Sequence, residues 1–430
     1  MRRSLPLLIV LLAIATVPAL AADNHPAVKA EWPQWRGPLR DNISPDKGLL
    51  QEWGEEGPPL LWKASGLGRG FSSVAVANDR IYTMGDSGGV QEVLCLSEKD
   101  GKQIWAQKIG NEWEPNGYAG PRCTPTVDGN AIYVVGAHGD LTCLNAETGK
   151  VVWTRNFQDE FGGKMHSGWG FSESPLVDGK LVICTPGSKE AMIAALDKET
   201  GKTVWTTAMP EIGNNGGDGA AYSSIVISYA CGVKQYVTLV GRGLIGVDAK
   251  NGEFLWGYNR VANGTANIPT ALVHDDYVFG SSGYGTGATL LKLEKSGDGI
   301  EAKEQYFLKA KEFQNHHGGM IMLGDYIYAG HGNNAGKPIC LEWKTGKVAW
   351  REARGPGSQS AAVGYADGNL YFRYENGTVA LIGATPDGYE LKGKFDIPEV
   401  SQPSWPHPVI IGGKLYLREQ DNLYCYNVAK

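Results

Sequence analysis

The sequence predicts an all-β fold, an eight-bladed β-propeller made of four-stranded antiparallel blades. Three observations lead to this prediction. A strand–turn–strand pattern ending in tryptophan recurs, with Trp105, Trp153, Trp205 and Trp256 at intervals of 48, 52 and 51 residues. Aromatic strands recur with a similar period, and a strand near Trp62 supplies the piece that the last repeat lacks. A period of roughly 40–50 residues built from short strands is typical of propellers.

The clearest copy of the repeat runs from Ala195 to Trp205, with the sequence Ala-Leu-Asp-Lys-Glu-Thr-Gly-Lys-Thr-Val-Trp. Asp197 and Thr200 are suited to bond the backbone of a tight turn, and Gly201 is suited to a positive φ. The indole that follows is expected to dock on the neighbouring sheet and bury its apolar body. The tryptophans predicted to join one blade to the next are Trp62, Trp105, Trp153, Trp205, Trp256 and Trp350.

Eight repeats are counted from an aromatic strand that follows a Pro- or Ser-rich corner and a hairpin. The repeats near Tyr277 and Tyr371 lack the closing tryptophan, and Tyr306 or Phe307 is expected to replace it in the first of them. The predicted blade starts lie near Ser72, Thr124, Ser174, Ser223, Pro269, Gly319, Ala361 and Pro408.

The last repeat contains only three strands, because Leu423–Asn427 corresponds to a third strand and little chain follows it. The strand around Trp62 precedes the first repeat and belongs to none. We therefore predict that it completes the last blade and closes the ring, which removes an open sheet edge. The propeller is accordingly assigned to residues 57–430 and a leader to residues 22–56.

Residues 1–21 are predicted to be a secretory signal peptide. Arg2 and Arg3 precede an apolar run from Leu5 to Val17, and a small-residue cleavage site ends at Ala21. The apolar run is short for a membrane span and is followed by Pro18. We expect an exported protein, periplasmic or extracellular, with no membrane span after cleavage.

The leader is rich in aromatic residues and proline, with the stretch Trp32-Pro33-Gln34-Trp35-Arg36-Gly37-Pro38. It is too aromatic for a flexible linker, so we expect it to pack on the outside of the propeller. The alternative is a recognition role for Trp32, Trp35 and Arg36.

The formal charge of −6 for the whole chain disfavours nucleic acid and anionic membrane surfaces as main partners. Seven cysteines are present in a chain expected to be exported, which raises the question of disulfides. Four of them are repeat-equivalent and would lie too far apart to bridge: Cys95, Cys143, Cys340 and Cys425. Mostly or wholly free thiols are therefore expected. Separately, we expect a monomer.

The repeat resembles the quinoprotein-type propeller repeat, whose motif Ala-x-Asp-x-x-Thr-Gly-Lys-x-x-Trp is matched by Ala195 to Trp205 at every fixed position. The resemblance extends to exported proteins of the BamB type, and it implies a propeller. The quinone dehydrogenases imply pyrroloquinoline quinone over the channel, Ca²⁺ held by Glu, Asn and Asp, a catalytic Asp and often two adjacent cysteines. This chain has neither adjacent cysteines nor a Cys-x-x-Cys-His motif. No catalytic or metal-binding residue is carried over, and the cofactor is left open.

The segments that lead into the innermost strands meet at one mouth of the central channel, where a ligand site is expected. Adjacent residues on a strand point to opposite faces, so His316 and His317 are not expected to share a metal ion. The candidate ligand-site residues are Arg69, Arg122, Trp169, Glu173, Asp218, Asn267, His316, His317, Gln359 and Trp405. They would suit a polar, anionic or planar ligand, or they bind only water.

These observations favour a non-catalytic exported scaffold that binds partners through its faces and its channel-mouth loops. Envelope proteins or polysaccharide are the expected partners. Two alternatives remain open at this point: an oxidoreductase that uses pyrroloquinoline quinone and Ca²⁺, and a carbohydrate-binding propeller.

Overall fold

The computed structural model describes residues 31–114, 117–297 and 299–430. The predicted signal peptide and residues 22–30 of the leader lie outside the described residues. Thirty-two strands of the described part form eight separate four-stranded sheets, and every pairing within them is antiparallel. The predicted all-β, eight-bladed propeller is confirmed.

Blades 1 to 4 each use four consecutive strands, ordered from the channel outward. Blade 1 contains β2 (Ala75–Ala77), β3 (Arg80–Ser87), β4 (Val90–Ser97) and β5 (Gln103–Asn111). Blade 2 contains β6 (Thr126–Asp128), β7 (Ala131–Val135), β8 (Asp140–Asn145) and β9 (Val151–Asn156). Blade 3 contains β10 (Leu176–Asp178), β11 (Leu181–Cys184), β12 (Ile193–Asp197) and β13 (Thr203–Thr207). Blade 4 contains β14 (Val226–Ser228), β15 (Gln235–Val240), β16 (Gly243–Asp248) and β17 (Phe254–Tyr258).

Blades 5 to 7 follow the same order, and blade 8 takes its outermost strand from the start of the propeller. Blade 5 contains β18 (Leu272–His274), β19 (Tyr277–Ser282), β20 (Gly287–Ser296) and β21 (Gly299–Lys309). Blade 6 contains β22 (Met320–Leu323), β23 (Tyr326–His331), β24 (Lys337–Glu342) and β25 (Val348–Arg351). Blade 7 contains β26 (Ala361–Ala366), β27 (Asn369–Tyr374), β28 (Thr378–Gly383) and β29 (Leu391–Asp396). Blade 8 contains β30 (Val409–Ile411), β31 (Lys414–Glu419), β32 (Asn422–Asn427) and β1 (Leu60–Ala64).

Helical structure in the described residues is limited to the five-residue helix α1 (Phe157–Phe161) and a short 3₁₀ turn at Ala230–Gly232. The Asn156 side chain caps α1 by accepting bonds from the backbone N–H groups of Gln158 and Asp159. No helix among the described residues has the length and apolar character needed to cross a membrane.

The ring closes as the sequence predicts. β1 pairs antiparallel with β32, with Lys63 opposite Tyr424 and Ala64 opposite Leu423. The cores lie between neighbouring sheets: in one of them Val76 and Leu94 of blade 1 pack with Val409 and Tyr416 of blade 8. Closure therefore buries the last interface between blades in the same way as the others.

Indole rings join successive blades where the repeat predicts them. Trp153 of blade 2 donates from Nε1 to the carbonyl oxygen of Lys198 in the blade 3 turn, at 3.1 Å. It also covers Gly201, where a Cβ would lie 2.7 Å from the ring. Gly201 has φ +67°, so the turn needs glycine for its backbone conformation and for the space taken by the indole. The glycines covered in this way by a tryptophan of the preceding blade are Gly101 by Trp62, Gly149 by Trp105, Gly201 by Trp153 and Gly252 by Trp205.

Blades 4 and 5 depart from this arrangement. The Trp256 indole donates to Oε1 of Gln235 within its own blade at 2.6 Å, and it packs with Leu291 and Leu293 of blade 5. Tyr306 takes the tryptophan position of blade 5: it covers Gly346, and its hydroxyl donates to the carbonyl oxygen of Trp343. In blade 6, Trp350 donates to the carbonyl oxygen of Thr385 in blade 7 at 2.8 Å.

Residues 32–44 of the leader, which we call the channel plug, do not pack on the outside of the propeller. They contact all eight blades at the innermost strand or the loop that feeds it, and only the channel axis adjoins all of these segments. The contacts in blade order are Trp32 with Val76, Pro33 with Val127, Arg40 with Ser174, Arg40 with Ile225, Trp35 with Thr270, Arg36 with Met320, Asn42 with Val363, and Trp35 with His407.

The plug lies inside because the inner strands leave carbonyl groups facing the channel that need donors. Arg40 donates to the carbonyl oxygens of Ser174 and Ile225, each at 3.0 Å, and to that of Pro175 at 2.5 Å. Its Nε donates to the Gln34 side chain at 2.9 Å. A guanidinium has five N–H donors in a fixed plane, so one side chain can serve several blades. The high aromatic and proline content of the leader does not distinguish this position from an outer one.

All seven cysteines are free, and six of them are buried. Burial raises the pKa of the Cys95 and Cys340 thiols to about 11. These thiols therefore act as small apolar groups in the interfaces between blades.

Candidate functional site

The loops that feed the inner strands enclose a cavity of about 280 Å³ at one mouth of the channel. We call it the mouth cavity. Trp35 and Arg36 of the channel plug line it together with residues from the blades, so it ends where the plug begins. The aromatic residues around it are Trp35, Phe71, Tyr118, Trp169, Tyr222, Tyr284 and Trp405. Blades 1 to 5 and blade 8 each contribute one of these rings through a loop, and the leader contributes the Trp35 indole.

The aromatic wall is continuous on the side of blade 8. The Trp405 ring lies 4.5 Å from Phe71, 5.0 Å from Tyr118 and 5.0 Å from His317, between ring centroids. On the side of blades 3 and 4, the ring centroids of Trp169 and Tyr222 lie 6.0 Å apart. At such distances the rings support one another, so the wall is formed before any ligand binds.

Trp35 of the plug is held in place from two sides. Its Nε1 donates to Oγ1 of Thr270 at 3.3 Å, and its ring lies 4.4 Å from the His407 imidazole. The next residue of the plug, Arg36, is anchored as well, because it donates to the carbonyl oxygens of Met320 and Asp41. The plug therefore fixes the orientation of one wall of the cavity.

Three histidines line the cavity, and burial lowers the pKa of each. The pKa of His316 falls to about 4 and that of His407 to about 3, while that of His317 falls well below its usual range. His316 bonds through Nδ1 to Oγ of Ser360 at 2.7 Å and through Nε2 to the Tyr284 hydroxyl at 2.8 Å. These imidazoles are neutral at pH 7, so they offer hydrogen bonds and carry no charge.

One carboxylate, Glu375, and two guanidinium groups, Arg36 and Arg122, line the cavity beside these rings. Oε2 of Glu375 lies 3.8 Å from Nε2 of His317, which is beyond a direct hydrogen bond. Burial raises the pKa of Glu375. Arg122 donates to the carbonyl oxygens of Gly120 and Tyr118, each at 3.1 Å, and lies 5.1 Å above the Phe71 ring.

Five of the ten candidate residues come together in this cavity. Arg122, Trp169, His316, His317 and Trp405 all line it. They lie in the loops that feed the inner strands of blades 2, 3, 6 and 8.

The other five lie outside the cavity. Arg69 pairs with Glu112 and Glu114, and Asp218 pairs with Arg242 at 2.7 Å. Glu173 is buried and accepts a hydrogen bond from the Thr185 backbone. Asn267 is buried and donates to the Val240 and Gly241 carbonyls. Gln359 is exposed.

Sequence reasoning missed several lining residues, and two kinds of signal could have found them. Tyr284 and Glu375 lie in the turns that join the second and third strands of blades 5 and 7. Because strands alternate in direction, these turns reach the same mouth as the loops that feed the inner strands. Tyr222 directly precedes the predicted start of blade 4. The sequence prediction puts Trp35 outside the propeller, whereas the structure puts it in the lining of the cavity.

The residues present do not fit the cofactor set of quinone dehydrogenases. Pyrroloquinoline quinone carries three carboxylates, whereas Arg122 and Arg36 are the cations of the cavity, and Arg36 is already bonded to carbonyl groups. Among the described residues, no group of three or more His, Cys, Asp or Glu side chains is placed to hold a metal ion. Glu173 and Asn267 are of the side-chain types that would bind Ca²⁺, but neither lines the cavity. Oε1 of Glu173 accepts from the Thr185 backbone, and Asn267 donates to the Gly241 carbonyl.

Comparison with known proteins relates this chain to two groups. A family model described as outer membrane protein assembly factor BamB matches residues 91–352, more than half of the chain. A quinoprotein ethanol dehydrogenase of Pseudomonas putida is 28% identical over 147 residues, which are 32% of this chain and 23% of that protein. An outer membrane protein assembly factor BamB of Burkholderia pseudomallei is 28% identical over 200 residues, 46% of this chain and 44% of that protein. The matched part thus spans less than half the length of each of these curated relatives.

Solved structures show the same fold. The crystal structure of BamB from Moraxella catarrhalis matches with a TM-score of 0.59 and 13% identity, covering 86% of this chain and 99% of that one. Quinohemoprotein alcohol dehydrogenase from Comamonas testosteroni matches with a TM-score of 0.60 and 13% identity, covering 93% of this chain and 81% of that one. At these identities the likeness concerns the fold alone.

Proposed function

Since the chain belongs to the family described as outer membrane protein assembly factor BamB, we propose that it is a non-catalytic binding protein of the cell envelope. On this proposal it is exported and periplasmic or extracellular, and it holds an envelope protein or polymer at the mouth of its channel. The observation that carries the proposal is the mouth cavity, a preformed site ringed by aromatic side chains at the end of a plugged channel. Concave, mostly apolar sites with a few convergent polar groups are the usual form of binding sites.

The titratable groups of the cavity support binding better than turnover. His316 has both ring nitrogens engaged, and His317 and His407 are neutral because burial depresses their pKa values. Glu375 has no second carboxylate beside it in the cavity lining. Glycoside hydrolysis usually needs two carboxylates flanking the scissile bond, and Glu375 is the one carboxylate in the described lining of the cavity.

The test uses the full chain in cells and in purified form. A photo-crosslinking amino acid at Gln359, on the rim of the mouth, should give adducts with envelope protein or polymer. The matched control is the same amino acid at Lys295, at the far end of the blade 5 hairpin, which should give none. Equal adducts from both positions would contradict binding at the mouth.

The purified protein tests the alternative of a quinone-dependent oxidoreductase. It is incubated with pyrroloquinoline quinone and Ca²⁺ and then offered alcohols and sugars with a redox dye. No change in quinone absorbance and no dye reduction are expected. Saturable dye reduction would refute the non-catalytic proposal.

A further inference from the structure

The mouth cavity holds buried polar atoms without partners. Oε2 of Glu375 and Nδ1 of His407 have no hydrogen-bond partner in the part of the chain that the structure describes, and neither does Nε2 of His317. Glu375 is 7% exposed and His407 is 4% exposed. A buried polar atom that is left without a hydrogen bond destabilises the fold. Such atoms at the edge of a cavity indicate a partner from outside the chain, and this group offers both donors and acceptors.

Arg122 adds a positive charge that the Asp86 carboxylate attracts only from beyond contact distance. Its two bonds to the carbonyls of Gly120 and Tyr118 leave three of its five N–H groups unused. Arg122 forms no ion pair with any described residue. Burial lowers its pKa to about 10, so it remains positively charged at neutral pH. A partly buried cation of this kind favours an anionic group on the ligand.

These two polar regions are joined by aromatic faces. Arg122 lies over Phe71, Phe71 contacts Trp405, and Trp405 contacts His317, which lies beside Glu375. A ligand that spans this wall therefore needs an apolar face for the rings, an anionic group at one end and hydroxyl groups at the other. Pyranose rings have apolar C–H faces and hydroxyl edges, and aromatic side chains pack against such faces.

We propose that the mouth cavity binds a carboxylated pyranose, the hexuronic-acid class of sugar, with Arg122 receiving the carboxylate. His317, His407 and Glu375 take the ring hydroxyls, and Trp35 and Trp405 contact the ring faces. This inference deepens the proposed function, because it names the chemical class of polymer that the mouth would hold. It also makes the channel plug part of the site, since Trp35 comes from the leader.

Isothermal titration calorimetry on the purified full chain tests the proposal with two hexuronic-acid oligomers, trigalacturonic acid and trimannuronic acid. The neutral comparison is galactotriose. At least one acidic sugar should bind, and Arg122→Met should weaken that binding by about tenfold or more, as expected for the loss of a charge-assisted bond. Arg69→Met is the matched control, because Arg69 lies outside the cavity in ion pairs, and it should bind like the wild type.

Three results would overturn the assignment. The protein binds none of the acidic sugars, it binds galactotriose as tightly as the acidic sugars, or Arg122→Met binds the acidic sugar as tightly as the wild type does. Circular dichroism of both variants shows whether they are folded. Adducts at Gln359 without any sugar binding would remove this inference and leave the proposed function intact. Sugar binding accompanied by turnover would keep the site and refute the non-catalytic proposal.

Discussion

Gly201→Ala tests the docking of Trp153 on the next blade. The new Cβ would lie 2.7 Å from Cδ2 and 2.8 Å from Cε3 of the indole, where contacts between carbons are usually about 3.5–4.0 Å. Overpacking of this kind destabilises by roughly 1–3 kcal/mol. The positive φ of +67° adds roughly 1–2 kcal/mol for any residue with a Cβ. The expected loss in the free energy of unfolding is therefore about 2–5 kcal/mol.

Gly179→Ala in the same blade separates the two effects. Gly179 has φ +60°, and a Cβ there would meet nothing within 4 Å. It should lose only the backbone part, roughly 1–2 kcal/mol. Guanidinium chloride unfolding followed by circular dichroism measures both variants against the wild type. Equal losses for the two variants would refute the view that the indole needs a bare glycine beneath it.

Two further predictions concern the plug and the buried titratable groups. Arg40→Met should lower the free energy of unfolding by about 3 kcal/mol or more, because the buried carbonyls of Ser174, Pro175 and Ile225 lose their donor. The control, Arg354→Met at an exposed position, should change the free energy of unfolding little. Equal effects of the two variants in the same unfolding assay would contradict the role of the plug. The folded pKa values of His316 and His331 are lowered to about 4, so between pH 6.5 and about 4 the unfolded chain binds protons at these histidines that the folded chain does not. Stability should therefore fall as pH falls, and it should fall less steeply in His331→Gln. Glu173 acts in the opposite direction, because its folded pKa is raised to about 7 and the stability it contributes is lost as pH rises through that value. The stability of Glu173→Gln should therefore fall more steeply on acidification than that of the wild type. If the pH profiles of stability of both variants were parallel to that of the wild type, the roles given to His331 and Glu173 would be wrong.

The blades could be predicted from sequence because their turns are local. The Thr-Gly-Lys-x-x-Trp pattern specifies a turn and a docking ring within one short segment, and the predicted start at Ser174 lies two residues before β10. Trp256 follows Asn251-Gly252-Glu253, a looser copy of this pattern, and its indole bonds to Gln235. The turn of the blade 5 hairpin has a glycine, Gly297, but no ring covers it. Docking depends on the neighbour as well as on the motif.

The mouth cavity could be predicted only in part, because its residues come from three kinds of segment. The feeding loops supplied Arg122, Trp169 and Trp405, which follow from blade position alone. To predict Glu375, the turns between the second and third strands have to be assigned to the same mouth. To predict Trp35, the path of the leader has to be known, and this path depends on carbonyl groups spread over eight blades and on no local pattern.

The pairing of β1 with β32 fixes the order in which the ring matures. Ala64 finds Leu423 only after residues 422–427 have been made, whereas blades 1 to 7 each fold from a contiguous stretch. Bringing together segments so far apart costs about 5 kcal/mol in loop-closure entropy. The pairing of β1 with β32 is therefore the last to become available during synthesis, and β1 has no sheet to join until β32 has been made.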